Sequence, residues 1–202
     1  MTRLTRAEQQ QLTHEKLIEA GRAVLVRRGF LAATVEEIAA EAGYTRGAVY
    51  KHFGGKEGVW LAIIDARAEA HLDLIKTALG QASSRDDLIA ALTPSAIADD
   101  EEAARWSRTT AEFAAAVTRL PETAAAAVSA QRQHEEEIVA VLDEHCQRLG
   151  ITPAVPLPQV VVLLGALSGG LALRRGIDPD TDVAGVLAGT LAAVFPDPRR
   201  NP

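Results

Sequence analysis

The chain of 202 residues contains a single cysteine, Cys146, and aromatic side chains make up only 4% of it. One thiol forms no internal disulfide and cannot build a cysteine-based zinc site, so disulfide scaffolds and zinc modules are excluded and a reducing cytoplasm is expected. With few aromatics and few β-branched runs, alanine and leucine carry much of the 48% hydrophobic share. Such a composition favours helix, so an all-α protein is expected and a sheet-built fold is not. Met1 to Gln11 is polar, carries Arg3 and Arg6, and lacks the apolar stretch of a signal peptide. Long uncharged runs are scarce as well. The longest, Ile151 to Leu173, holds Pro153, Pro156 and Pro158 in its first part. About 16 apolar residues remain, against the ~20 a membrane span needs, so a buried helix and no membrane partner are expected.

Charge is unevenly divided. The net charge is −6, yet residues 1–56 carry nine Lys or Arg against six Asp or Glu, and the rest of the chain carries twelve against twenty-one. A basic head on an acidic body points to a small DNA-facing module carried by a larger domain with another duty. The corresponding division is residues 1–55 and 56–202.

Apolar spacing predicts a first helix from about Thr13 to Arg28, with Leu17, Ala20, Val24 and Leu25 inward and Gly29 as its stop. Thr34 followed by Glu37 forms a capping box ahead of the stripe Val35, Ile38, Ala39, Ala42, and Gly43 ends this second helix. Thr45 can cap a short third helix, Arg46 to Phe53, with Val49 and Phe53 inward. Two helices joined by a short glycine-containing turn make a helix-turn-helix. Lys56 opens a long helix to about Leu79, and Ser84 with Asp87 starts another that Pro94 ends or interrupts. Further helices follow the Asp99 to Glu102 group, run from Pro121 to Leu149, and cover about Pro158 to Leu173 and Asp182 to Val194. That gives about nine helices and no strand.

The third helix has an outward face of Arg46, Gly47, Tyr50 and Lys51. Small residues such as Gly47 and Ala48 leave a helix surface bare, which suits the close approach of another body. The major groove of double-stranded DNA is such a body. Arg46 and Lys51 have donors for guanine O6 and N7, and Thr45, Tyr50, His52 and Lys56 suit phosphate oxygens. Taken singly, an exposed Arg or Lys is usually only solvated; the specificity lies in the combination.

The stretch from Thr34 to Lys56, Thr-Val-Glu-Glu-Ile-Ala-Ala-Glu-Ala-Gly-Tyr-Thr-Arg-Gly-Ala-Val-Tyr-Lys-His-Phe-Gly-Gly-Lys, closely resembles the DNA-binding signature of the tetracycline-repressor (TetR) family. The likeness runs from roughly Leu17 to Ile64. It implies base-edge contacts for Arg46, Gly47 and Lys51, and phosphate contacts for Thr34, Thr45, Tyr50, His52 and Lys56. Tyr44 stands where the family commonly has a small aliphatic residue. The helical remainder is similar in pattern to the family's ligand-binding and dimerisation body.

Several features of that body invite a role. His134 with Glu135 to Glu137, and Asp143, Glu144 and His145, lack the spacing of a metalloprotease helix, and no phosphate loop or nucleophile elbow occurs, so neither an enzyme nor a metal or cofactor site is expected. Trp106, Thr110, Phe113 and Val117, with Ile138, Leu142 and His71, either line a cavity or fill a core. The resemblance favours a cavity holding a small, largely apolar effector. Leu163, Gly165, Leu167, Gly169 and Gly170 on the Pro158 helix, with Val186, Leu187 and Leu191 on the last one, would pair with a second copy in a four-helix interface, or else lie inside the protomer. The function expected is a ligand-responsive regulator, most simply a repressor binding a palindromic operator as a homodimer. A dimeric architectural DNA-binding protein without a ligand response is the alternative.

Overall fold

The computed structural model of the protein describes residues 5–93 and 101–197. Among these residues there are nine α-helices and no strand: α1 (Arg6–Arg28), α2 (Val35–Ala42), α3 (Arg46–Phe53), α4 (Lys56–Gln81), α5 (Arg85–Leu92), α6 (Glu101–Val117), α7 (Pro121–Leu149), α8 (Leu157–Arg175) and α9 (Val183–Val194). Arg3, Pro94 and the Asp99–Asp100 pair lie outside the described residues.

The first helix begins well before Thr13. Thr5 caps it, the Glu8 amide donating to Thr5 Oγ1 at 3.2 Å and the Thr5 amide to the Glu8 carboxylate at 2.6 Å. This capping box satisfies two orphan amides, which starts a helix in a polar stretch where hydrophobic spacing gives no signal.

Helices α4, α6 and α7 each contribute to both of two compact units. One comprises residues 1–67 and 108–127, the other 68–107 and 128–202, a division that follows packing and not chain order. In the first unit Leu17, Val24, Leu25, Phe30, Ile38, Val49, Val59, Trp60 and Ile63 are at most 2% exposed. The second half of α6 closes this core. Phe113 packs edge-on against Phe30, centroids 5.2 Å apart, and lies 6.4 Å from the Trp60 ring. Beside it the Thr109 hydroxyl donates to the Leu25 carbonyl at 3.4 Å. The Leu31 amide, just past the left-handed Gly29, donates to the Glu112 carboxylate at 3.0 Å.

In the second unit the core holds Leu72, Ile75, Leu79 and Leu88 with Ile138, Leu142, Val160, Leu191 and Phe195. Arg148 closes the end of α4 by donating to the carbonyls of Leu79 and Ala82 at 3.1 and 2.9 Å. Arg85 ties the start of α5 to the Phe195 and Ala192 carbonyls at the end of α9.

Two expectations for α8 change. It has 19 residues, long and apolar enough by length and composition alone to cross a membrane, because it starts before Pro158 and runs on to Arg175. Nor is it a wholly buried helix, since only 22% of its apolar window is buried. Leu157, Val160, Val161, Leu171 and Ala172 face the interior, whereas Val162 and Leu163 are 53% and 40% exposed.

Candidate nucleic-acid interface

Helix α2 is fixed at both ends. Thr34 and Glu37 form the expected box, with the Thr34 amide donating to the Glu37 carboxylate at 3.0 Å and the Glu37 amide to Thr34 Oγ1 at 3.2 Å. The Thr34 amide, ahead of every other cause, holds the Glu37 carboxyl below its ordinary pKa. At the other end Gly43 takes φ 71°, which a side chain rarely adopts, and its amide reaches the Ala40 carbonyl at 3.1 Å. Tyr44 then turns its ring toward α1, and its hydroxyl lies 3.3 Å from that of Thr13. A tyrosine is accommodated in the turn because its polar end meets a polar residue there.

Val49 is fully buried under α3, so the opposite side of that helix faces outward. Arg46, Gly47, Tyr50 and Lys51 are all exposed, and a methyl group at Gly47 would have only the Thr45 hydroxyl, 3.7 Å away, within contact range. Thr45 occupies the N-cap position, but its side chain makes no capping hydrogen bond. Arg46 pairs with Glu36 of α2 at 2.9 Å and lies over the Tyr50 ring, 5.2 Å from its centroid. Glu36 is a residue the sequence reading missed, and its place three residues before Ala39 on a surface helix gives no signal of this pairing. Both side chains are more than half exposed, so the pair orients the guanidinium without contributing much stability.

Two residues expected at phosphates behave differently from each other. His52 is half-buried at the end of α3, beside His14, with ring centroids 5.9 Å apart. Lys56 instead donates to the Phe30 and Ala33 carbonyls at 2.7 and 2.9 Å and lies 4.6 Å above the Phe30 ring. Two of its three donors therefore brace the segment between α1 and α2, and a single donor is left for any phosphate.

The residues expected around an effector are divided between the units. Thr110, Phe113 and Val117 belong to the first, with Phe113 and Val117 buried, and His71, Trp106, Ile138 and Leu142 belong to the second, with Ile138 and Leu142 in its core. His71 lies beside His134, ring centroids 6.0 Å apart. Among the described residues, no three of His, Cys, Asp and Glu are grouped to hold a metal ion. Of the residues expected at a dimer interface, Leu163 and Val186 are 40% and 44% exposed, and Gly165, Gly169 and Gly170 have open space where a side chain would stand. Leu187 and Leu191 are already buried within the protomer, and Leu167 packs against the cluster of Leu171, Val183 and Leu187.

Residues 17–63 match the model of the bacterial regulatory proteins of the tetR family. Over 67 residues the chain is 45% identical to the HTH-type transcriptional regulator SrpR of Pseudomonas putida, covering 33% of this chain and 31% of the relative. The chain thus spans about a third of the length of this curated relative. In fold, it is similar over 91% of its length to 98% of a TetR-family transcriptional regulator from Rhodococcus sp., with a TM-score of 0.72 at 19% identity. A structure of a SmeT–triclosan complex is similar over 95% of each chain, with a TM-score of 0.62 at 25% identity. Helices α2 and α3, which form a helix-turn-helix, lie within the segment that matches the tetR family, and the chain as a whole has the TetR-type fold of these solved structures.

Proposed function

We propose that the protein is a cytoplasmic, ligand-responsive transcriptional regulator. As a homodimer it binds a palindromic operator in double-stranded DNA, and a small, largely apolar effector releases it. The observation that carries this reading is the outward face of α3, where Arg46, Gly47, Tyr50 and Lys51 stand free of the core that Val49 enters. A helix bared by glycine and flanked by cations fits the major groove, where Arg46 and Lys51 meet base edges and Thr34, Thr45, Tyr50 and His52 meet the backbone. Domain roles follow the same line: residues 1–55 read DNA, and residues 56–202 bind the effector and dimerise. No catalytic chemistry is assigned.

The test of base reading is Arg46→Ala. Binding titrations on a duplex that the protein selects from a randomised pool, and on a scrambled duplex, should show a loss of about 1–3 kcal/mol of discrimination at one base position per half-site. Equal losses on both duplexes would move Arg46 to the backbone.

Dimerisation is assigned to the outer faces of α8 and α9. Val162, Leu163 and Val186 stand exposed there, and the three α8 glycines allow close helix approach. Gly169→Glu adds a charge where, beyond the local backbone of α8 itself, nothing in the protomer stands within 4 Å of the new Cβ, so the protomer should fold normally. Sedimentation should show monomers, and affinity for the palindrome should fall steeply because one recognition helix spans too few base pairs. A variant that still sediments as a dimer would place the interface elsewhere.

The SmeT structure, similar in fold, is a complex with triclosan, and it supports the reading that the body takes a small-molecule effector. Of the residues expected around the effector, His71, Trp106, Ile138 and Leu142 of the second unit remain the ones proposed to meet it. Their contributions separate by variant: Trp106→Ala, only half-buried, should blunt release by an effector. A protein that keeps its DNA under every small apolar compound tried would be architectural.

A further inference from the structure

Helix α1 extends well beyond its core. Residues Arg6 to Gln11 are exposed and, apart from Ala7, polar, so this part of the helix rests on the Thr5–Glu8 capping box and not on core contacts, and its side chains are free of the core. They border a cleft of about 550 Å³ lined by Arg6, Gln9, Gln10 and Thr13 of α1 and by Ala48, Lys51 and His52 of α3. None of these seven is acidic. Nearby carboxylates of α1 are engaged elsewhere, Glu8 with the Thr5 amide at 2.6 Å and Glu15 with the Gln11 amide at 2.8 Å. Two fixed cations, two side-chain amides and an imidazole therefore converge on one concavity beside the recognition helix, and Ala48 leaves room within it.

We propose that this cleft seats one backbone phosphate of the bound DNA, so that the first turns of α1 belong to the DNA interface, and that seating it protonates His52. The inference rests on the DNA-binding reading above. His52 is faced by His14 and Arg6 from α1 and by Lys51 from its own helix, and the His14 ring is stacked on Phe53 at 4.6 Å. Burial first, then the charges of His14 and Lys51, lower its pKa below the ordinary 6.5, so it is mostly neutral at pH 7 in the free protein. A phosphodiester in the cleft offsets that positive charge and accepts a hydrogen bond from the imidazolium, which raises the pKa in the complex. Because the complex binds more protons than its parts, affinity gains as pH falls through the imidazole range and is lost as pH rises above it.

The experiment measures affinity of the full chain for a duplex that it selects from a randomised pool, across pH and across salt. Wild-type affinity should rise about threefold to tenfold as pH falls from about 8 to 6, and His52→Gln should flatten that profile. Arg6→Ala should lower the slope of log affinity against log salt by about 0.9 per protomer, and Arg6→Lys should restore it. Lys16→Ala, on the same helix but outside the cleft, should leave the slope unchanged. Arg6 is exposed, so its replacement leaves the fold intact and the salt slope reads the contact itself. If the protein selects a duplex and both Arg6→Ala and His52→Gln keep the wild-type slope and pH profile, the phosphate seat is wrong and the DNA reading stands. If it selects no duplex, both readings are overturned.

Discussion

Gly58→Ala is expected to unseat the end of the recognition helix. Gly58 lies in the first turn of α4, and a Cβ there would overlap the Phe53 carbonyl oxygen and stand 2.9 Å from its carbonyl carbon. Both obstacles are backbone, so no side-chain rotation relieves them. Phe53 ends α3, and the chain turns back through Gly54 and Gly55 at φ 74° and 149°, which leaves the turn little freedom to open. Overpacking of this kind costs about 1–3 kcal/mol, and more where the neighbours cannot move. The variant should melt several degrees lower and lose most of its affinity for the selected duplex, with helix content by circular dichroism nearly unchanged. Wild-type melting and wild-type DNA affinity together would show that α3 and α4 separate more freely than this contact implies.

Phe113→Ala should remove still more stability. The ring is 4% exposed and closes the first unit against Phe30 and Trp60, so its deletion leaves a cavity among aromatic rings. Such truncations cost about 3–5 kcal/mol, a large part of the stability of an ordinary domain. Urea unfolding should register the loss, and DNA binding should fail at temperatures where the wild-type chain is folded. Should the variant instead keep its stability and its DNA while losing only its response to an effector, Phe113 would be a ligand contact.

How far the sequence reveals these features depends on the range of the interaction behind each. Thr34, Glu37, Gly43 and Gly54 act through neighbours one turn away, so α2 and α3 are legible to the residue. The outward set Arg46, Gly47, Tyr50, Lys51 follows from the same periodicity once Val49 is taken as inward. The start of α1 is local too, but its Thr5–Glu8 box lies in a polar run without a hydrophobic stripe to draw attention to it. Long-range partners are the ones that stay hidden. Nothing in spacing tells that Lys56 bonds to the Phe30 and Ala33 carbonyls, that Arg6 and His52 share a cleft, or that Glu36 pairs with Arg46. In α8 and α9 the largely apolar composition masks which side of each helix is covered. Leu187 and Val186 are adjacent in sequence, one buried and one exposed, and only packing separates them.

The part of α6 that carries Thr109, Glu112 and Phe113 also bears on how such proteins can be recombined. The recognisable stretch, residues 17–63, is contiguous, but the unit it folds into is completed by residues 108–127 from far along the chain. A hybrid made by joining this head to the body of a relative would place a foreign helix against Phe30 and Trp60 and leave the Leu31 amide without Glu112. If the exposed residues of α3 read bases as proposed, exchange of DNA specificity between such chains calls for grafting those residues in place, or for carrying the matching segment of α6 along with the head.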